Sequence, residues 1–187
     1  MRVIAGSARS IPLVCPAGYD TRPTTDKIKE TLFNMIHFDL PGCVFVDFYS
    51  GSGAIGIEAL SRGAEHAYFI DNSKKAAECI KANVSKCKLE DNSTIIVRAA
   101  KDAIYEINDK ADIIFMDPPY ELGENYELMK QLHDSNITKS STIFIIESAL
   151  DDDLTNILNL GFYIIKEKRY KTNKHTFFGF VKGEDNA

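Results

Sequence analysis

From Cys43 onward, apolar runs of strand length alternate with longer stretches in which apolar residues recur every three or four positions. CVFVDF (43–48), HAYFID (66–71), STIIVR (93–98), DIIFMD (112–117) and TIFIIE (142–147) read as strands, and 54–62, 73–87, 101–107, 125–134 and 151–159 as the helices between them. Continuous Val, Ile and Phe runs, in place of strict alternation, are what strands covered on both faces require, so the series predicts a doubly wound parallel sheet. The C-terminal pattern differs. GFYIIKEKRY (161–170) and HTFFGFVK (175–182) are joined only by KTNK, too short for a parallel crossover, and are expected to form an antiparallel hairpin. The outcome is an α/β fold with a mostly parallel seven-stranded sheet, one strand reversed and helices on both faces. Ahead of Cys43, RVIAGSARSIPLV (2–14) is β-prone and broken by Gly6 and Pro12, which suggests a hairpin or extended arm. RPTTDKIKETLFNMIHF (22–38) sets Ile28, Leu32, Met35 and Ile36 on one helical face behind a Pro23–Thr24 start signal. A single domain over 1–187 is expected, with arm and helix in 1–40 and the sheet core in 41–187.

The first strand runs into DFYSGSGAIG (47–56), which contains G-x-G-x-x-G. Gly51 and Gly53 let the backbone turn sharply and approach a ligand, and Gly56 lets the following helix pack close to the strand. That signal alone fits NAD or an adenosyl cofactor. Asp71, 20 residues after Gly51 at the end of the second strand, suits a ribose hydroxyl pair in either. Asp47 separates the two. Its carboxylate would repel a pyrophosphate at close range and attract the ammonium and sulfonium of S-adenosylmethionine.

DIIFMDPPY (112–120) then puts Asp117, Pro118, Pro119 and Tyr120 at the carboxyl end of a strand, where ligands sit in open α/β sheets. The prolines fix the backbone and leave carbonyls without neighbouring N–H donors, so Asp117 and the Pro118 carbonyl can accept both hydrogens of an amino group. That aims the nitrogen lone pair at a methyl donor. Tyr120 offers a face for stacking a planar base. Asp117 takes the surplus proton after transfer, or water does. Read blandly, Asp-Pro-Pro-Tyr is a rigid turn, but it follows Asp47, the glycine loop and Asp71 in order. Asp102, after the third strand, is placed either to reach an adenine amino group or to cap a helix. Glu147 and Ser148 end the fifth strand on the same edge as Asp117 and read as support for it.

Composition changes the picture only locally. The 187 residues are 44% hydrophobic and 26% charged, as in ordinary globular proteins, and no run approaches the roughly 20 apolar residues that cross a bilayer. A cytoplasmic protein is expected. Cys15, Cys43, Cys79 and Cys87 form no C-x-x-C pair, and His37, His66, His133 and His175 are scattered, so no metal site is expected. The net charge of −5 argues against nonspecific coating of nucleic acid, yet KEKRYKTNKH (166–175) carries five Lys/Arg against one acid.

With these motifs in view, the chain resembles class I S-adenosylmethionine-dependent methyltransferases of Rossmann-like fold, and more narrowly the RsmD family, which methylates N2 of a guanine in small-subunit (16S) ribosomal RNA. The resemblance rests on RVIAGSAR with IPLVCP, RPTTDKIKETLFN (22–34), DFYSGSGAIGIEALSRGA (47–64), Asn83 and DPPY (117–120). It implies that Asp47, Tyr49, Ser50, Gly51, Ser52, Gly53, Asp71, Asn72, Ala100, Lys101, Asp102 and Asp117 line the cofactor pocket and that Asp117 to Tyr120 hold the guanine amine. It also implies that Arg22, Thr24, Thr25, Lys27 and Glu30 sit near the cofactor and substrate entrance. Ser10 departs from the family's usual Gly, Tyr49–Ser50 from a commoner Phe–Ala pair, and Asp71 from a more frequent Glu.

An acidic protein docking on an assembled ribosomal particle can use a small basic footprint, here Arg2, Arg9, Arg22, Lys27, Lys29 and the 166–174 segment with Lys168, Arg169 and Lys171, and with Thr24 and Thr25 beside it. The target base has to be unstacked to enter the pocket, which favours exposed loop nucleotides over duplex. A monomer is expected. A DNA adenine-N6 methyltransferase shares the Asp-Pro-Pro-Tyr chemistry but needs a recognition domain for which the chain has no room. Glutamine-directed protein methyltransferases carry Asn at the position of Asp117, Asp47 disfavours an NAD oxidoreductase, and the intact motifs count against an idle assembly binder.

Overall fold

The computed structural model of the chain describes residues 1–16, 25–118 and 124–181. Strands β1 (Val44–Phe48), β2 (His66–Asp71), β3 (Ser93–Val97), β4 (Ile113–Met116) and β5 (Ile143–Ala149) are mutually parallel. β7 (Asn173–Phe180) lies antiparallel between β5 and β6 (Phe162–Arg169), so the sheet order is β3-β2-β1-β4-β5-β7-β6. The reversed strand is therefore inserted into the sheet and β6 forms the edge.

Alternate side chains serve two apolar layers, as the unbroken hydrophobic runs require. Phe45, Phe69, Ile113, Phe115, Ile145 and Phe177 pack on one face with Leu32 and Phe33 of α1 (Asp26–Met35), Ile57 of α2 (Ala54–Ser61) and Ile80 of α3 (Lys74–Cys87). Val46, Phe48, Tyr68, Ile70, Ile114, Met116, Ile146 and Phe178 pack on the other with Ala103 of α4 (Ala100–Ala103) and Leu128, Met129 and Leu132 of α5 (Glu124–Asp134).

Four elements differ from their sequence reading. The helix expected over 151–159 is a 3-10 helix at Thr155–Leu160. Asp152 Oδ2 accepts the Ala149 amide and Asp153 Oδ1 the Thr155 amide, local bonds that compete with α-helix. The segment 101–107 is the short α4 followed by a 3-10 turn, Ile104–Glu106. β7 starts at Asn173, within the expected KTNK joint, and the Tyr170 amide donates to the Asn173 carbonyl to close a tighter turn. α1 starts at Asp26, with Thr25 Oγ1 accepting the Ile28 amide. The Pro23–Thr24 signal lies outside the described residues.

The amino-terminal hairpin reduces to one antiparallel bridge, Arg2 to Pro12, with Val3 N donating to the Ile11 carbonyl. Several of its other backbone groups bond to α2. Glu58, fully buried, accepts the Ile4 and Ala5 amides at 2.8 and 3.0 Å and pairs with Lys29 at 3.1 Å and Arg62 at 2.8 Å. Lys29, also fully buried, donates to the Arg2 carbonyl. A Cβ on Gly6, whose φ is +86°, would lie 1.7 Å from the Ser61 carbonyl oxygen, so the arm's close approach needs glycine there. Ser10 takes φ +69°, the left-handed conformation a glycine would hold without strain.

Candidate active site

Side chains two apart along a strand share a face. Asp47 follows Phe45, Asp71 follows Phe69, Asp117 follows Phe115 and Glu147 follows Ile145, so all four acids lie on the α1–α3 side of the sheet, at the carboxyl ends of β1, β2, β4 and β5. Met116 pairs with Ile146, which puts Asp117 beside Glu147. Asp47 pairs with Phe69 and Phe115 and so sits one step deeper than Asp71 and Asp117.

Asp47 is 1% exposed, and its Oδ2 accepts the Gly56 amide in the first turn of α2 at 3.0 Å. Burial pushes its carboxyl up to about 7, against the Gly56 hydrogen bond and with a smaller push from Asp71. Burial also raises Asp117 well above the usual carboxylate range, reinforced by the charges of Glu147 and then Asp47. Acids crowded this way mark a site that a cationic ligand or a bound proton would relieve.

The loop between β1 and α2 takes three left-handed residues in five, Tyr49, Gly51 and Gly53 at φ 61°, 53° and 75°. Asp71 anchors it: Oδ2 accepts the Gly51 amide and Oδ1 the Ser73 amide, both at 2.9 Å. The Ser50 hydroxyl donates to the Asp47 carbonyl and accepts the Ile70 amide, while its backbone bonds Ile70 and Gly53, so Ser50 stitches β1 to β2. Asn83, fully buried in α3, holds the loop from behind by donating to the Ser52 and Val14 carbonyls and accepting the Val14 amide, each at 2.9 Å. The sequence named Asn83 only as part of the family resemblance and did not disclose this role.

A Cβ on Gly56 would stand 2.4 Å from the Phe69 ring, so the helix approaches the sheet as closely as the motif requires. Asn72 is exposed just after β2; Lys101 and Asp102 are exposed and Ala100 is buried in α4, after β3. The capping alternative for Asp102 is not realised, since Ala99 is the N-cap and no side chain caps α4. Pro118 is buried directly after Asp117. Pro119 and Tyr120 lie outside the described residues, as do Arg22 and Thr24.

The basic footprint is thinner than expected: Lys29 is fully buried, paired with Glu58, and cannot meet a phosphate. Lys166 donates to the Met35 carbonyl at the end of α1 and lies over the Phe177 ring; Lys174 is buried against the Asp152 carbonyl and Glu167. Arg169 pairs with Glu167 and donates to the Leu150 carbonyl, and Arg2 pairs with Asp26. Arg9, Lys27, Glu30, Lys168 and Lys171 are exposed. Among the described residues no group of His, Cys, Asp or Glu could hold a metal ion, and no helix is long and apolar enough to cross a membrane. Cys43, Cys79 and Cys87 are buried and Cys15 is exposed.

A family model described as Conserved hypothetical protein 95 matches residues 1–179. The Haemophilus influenzae protein named Ribosomal RNA small subunit methyltransferase D is 30% identical over 174 residues, covering 90% of this chain and 88% of that protein. YlbH of Bacillus subtilis is 42% identical over 123 residues, 64% of this chain and 67% of its own. Among solved structures, yhhF of Escherichia coli superposes with a TM-score of 0.87 at 27% identity, over 98% of this chain and 99% of that one.

Proposed function

The chain belongs to the family of Conserved hypothetical protein 95, the RsmD family, and on that premise we propose that it transfers the methyl group of S-adenosylmethionine to the exocyclic N2 amine of a guanine in 16S ribosomal RNA. It does so as a single-domain monomer in the cytoplasm, on the small subunit or an assembly intermediate. The observation that carries this reading is the row Asp47, Asp71, Asp117 and Glu147 at one edge and on one face of the sheet. A row of acids suits a cofactor with positive charges and an acceptor with N–H donors. It does not suit a dinucleotide, whose pyrophosphate would face the first amides of α2. Here the Gly56 amide already donates to Asp47.

The residues fit S-adenosylmethionine by their chemistry. Asp71 stands where a ribose hydroxyl pair would be held, Asp47 and the glycine-loop backbone where the charged methionine end would lie, and Ala100 to Asp102 beside the adenine. Bound there, the cofactor supplies a methyl group activated on sulfur. Asp117 and the Pro118 carbonyl accept the amine's two hydrogens and aim its lone pair, an alignment that can contribute roughly 7 to 11 kcal/mol. Tyr120, assigned from sequence, stacks on the unstacked base, worth roughly 1 to 3 kcal/mol.

The experiment is transfer of radiolabelled methyl from S-adenosylmethionine to small subunits lacking their native methylations, with nucleoside analysis of the product. N2-methylguanine is expected. Label on DNA adenine, or none on RNA while the cofactor binds, overturns the proposal.

A further inference from the structure

Beside Asp117 lies a buried polar chain that the methyl transfer itself leaves unused. Glu147 pairs in register with His175 across β5 and β7, and His175 with Lys168 across β7 and β6. Residues directly opposite project to one face, so Asp117, Glu147, His175 and Lys168 form a line from the site to the sheet edge. Glu147 is 6% exposed and His175 fully buried. Glu147 Oε1 accepts from Asn173 Nδ2 at 2.5 Å, and Oε2 lies 2.9 Å from His175 Nε2. His175 Nδ1 lies 3.1 Å from the Tyr170 hydroxyl. A neutral ring donating Nε2–H to Glu147 leaves Nδ1 bare, and the Tyr170 O–H is the donor that fits it. Burial and then the charge of Glu147 push the Tyr170 phenol up to about 12, which keeps that hydroxyl a donor.

Packed apolar residues usually serve stability as well as such a network does, so a buried carboxylate held from two sides calls for another reason. We propose that Glu147 is a positioning residue of the methyl-transfer site, its charge fixed by Asn173 and His175 so that the neighbouring Asp117 takes the proton the reaction leaves on the amine. The proposal rests on Asp117 being the residue that holds the acceptor amine. In the transfer, the nitrogen lone pair forms the N–C bond while the C–S bond breaks and its electron pair stays on sulfur. The nitrogen then carries one proton too many. Its N–H bond breaks toward an Asp117 oxygen, and water removes the proton afterwards.

A lone carboxylate is a weak acceptor, and a second one beside it makes uptake more favourable. Facing Asp117 are Glu147 from β5 and Asp47 from β1. Facing Glu147 are Asp117 from β4, His175 and Asn173 from β7 and Tyr170 after β6, with Lys168 at the outer end of the line.

The test is the pH dependence of single-turnover methyl transfer to small subunits, with cofactor affinity measured in parallel. The wild-type rate should rise with pH as Asp117 ionises. Glu147→Gln should move that limb to lower pH by about one unit or more. His175→Phe, which removes the partner that holds the Glu147 carboxylate beside Asp117, should move it the same way. His175→Gln keeps an N–H donor and should stay near wild type. A Glu147→Gln profile that only loses amplitude, its limb on the wild-type curve, overturns the proposal; if that variant does not fold, an unmoved limb in His175→Phe overturns it equally. Asp117→Asn separates the two claims, because full turnover with an unchanged limb in that variant removes Asp117 from catalysis altogether.

Discussion

Replacing Asp47 with Asn changes a carboxyl to an amide whose Oδ1 can still accept the Gly56 amide. In the folded protein burial raises the Asp47 carboxyl from 3.8 to about 7. Between those pH values the folded chain holds a proton that the unfolded chain has released. The stability associated with it is fully present below pH 3.8 and is lost as pH rises through about 7. At roughly 1.4 kcal/mol per pH unit, the loss approaches about 4 kcal/mol on the alkaline side. The amide of Asp47→Asn cannot ionise, so the variant should match the wild type near pH 4 and exceed it in stability above pH 7, by up to that amount. Urea unfolding of both proteins without cofactor, from about pH 4 to 8.5, spans the window in which the carboxyl titrates and reads the difference directly. A cationic ligand should reverse the preference, because it favours the ionised carboxylate: below pH 7 the affinity for S-adenosylmethionine should rise with pH and binding should release a proton, both effects vanishing in Asp47→Asn. Stability curves that stay parallel across the whole range would refute the argument, since Asp47 would then be ionised throughout.

Glu58→Gln leaves Lys29 buried beside a neutral amide and should cost about 3 to 5 kcal/mol in urea unfolding; a loss under about 1 kcal/mol would mean the pair is dispensable. Gly6→Ala should lift the arm from α2, because the obstacle is the Ser61 backbone carbonyl, and hydrogen exchange should show lost protection at the Ile4, Ala5, Ser7 and Ala8 amides, with unchanged exchange as the contrary result. Ala in place of exposed Lys168 and Lys171 should weaken binding to small subunits and reduce its salt slope by roughly one for each phosphate no longer neutralised, whereas Ala at Lys166 or Lys174 should lower Tm and leave the slope alone. Equal slopes for both pairs would mean that the exposed pair, too, meets no phosphate.

What the sequence revealed of this site, and what it hid, follows from the range of the interactions involved. The glycine loop was legible because its requirements are local: left-handed backbone at Gly51 and Gly53, and a helix packed against Phe69 over Gly56. Asp47, Asp71 and Asp117 were legible because each ends an apolar run, and in a parallel sheet such ends converge on one edge. His175 was not, because only the antiparallel register of β7 against β5 brings it to Glu147, and β7 enters the sheet between β5 and β6 instead of ending it at the edge. The same limit governed the basic segment. Lys166, Arg169 and Lys174 meet the carbonyls of Met35, Leu150 and Asp152, partners 131, 19 and 22 residues away, and so leave the count of free cations. A charge run therefore records what a surface is made of, while the fold decides which charges stay exposed, and here Lys168 and Lys171 do so on the same edge as the acids.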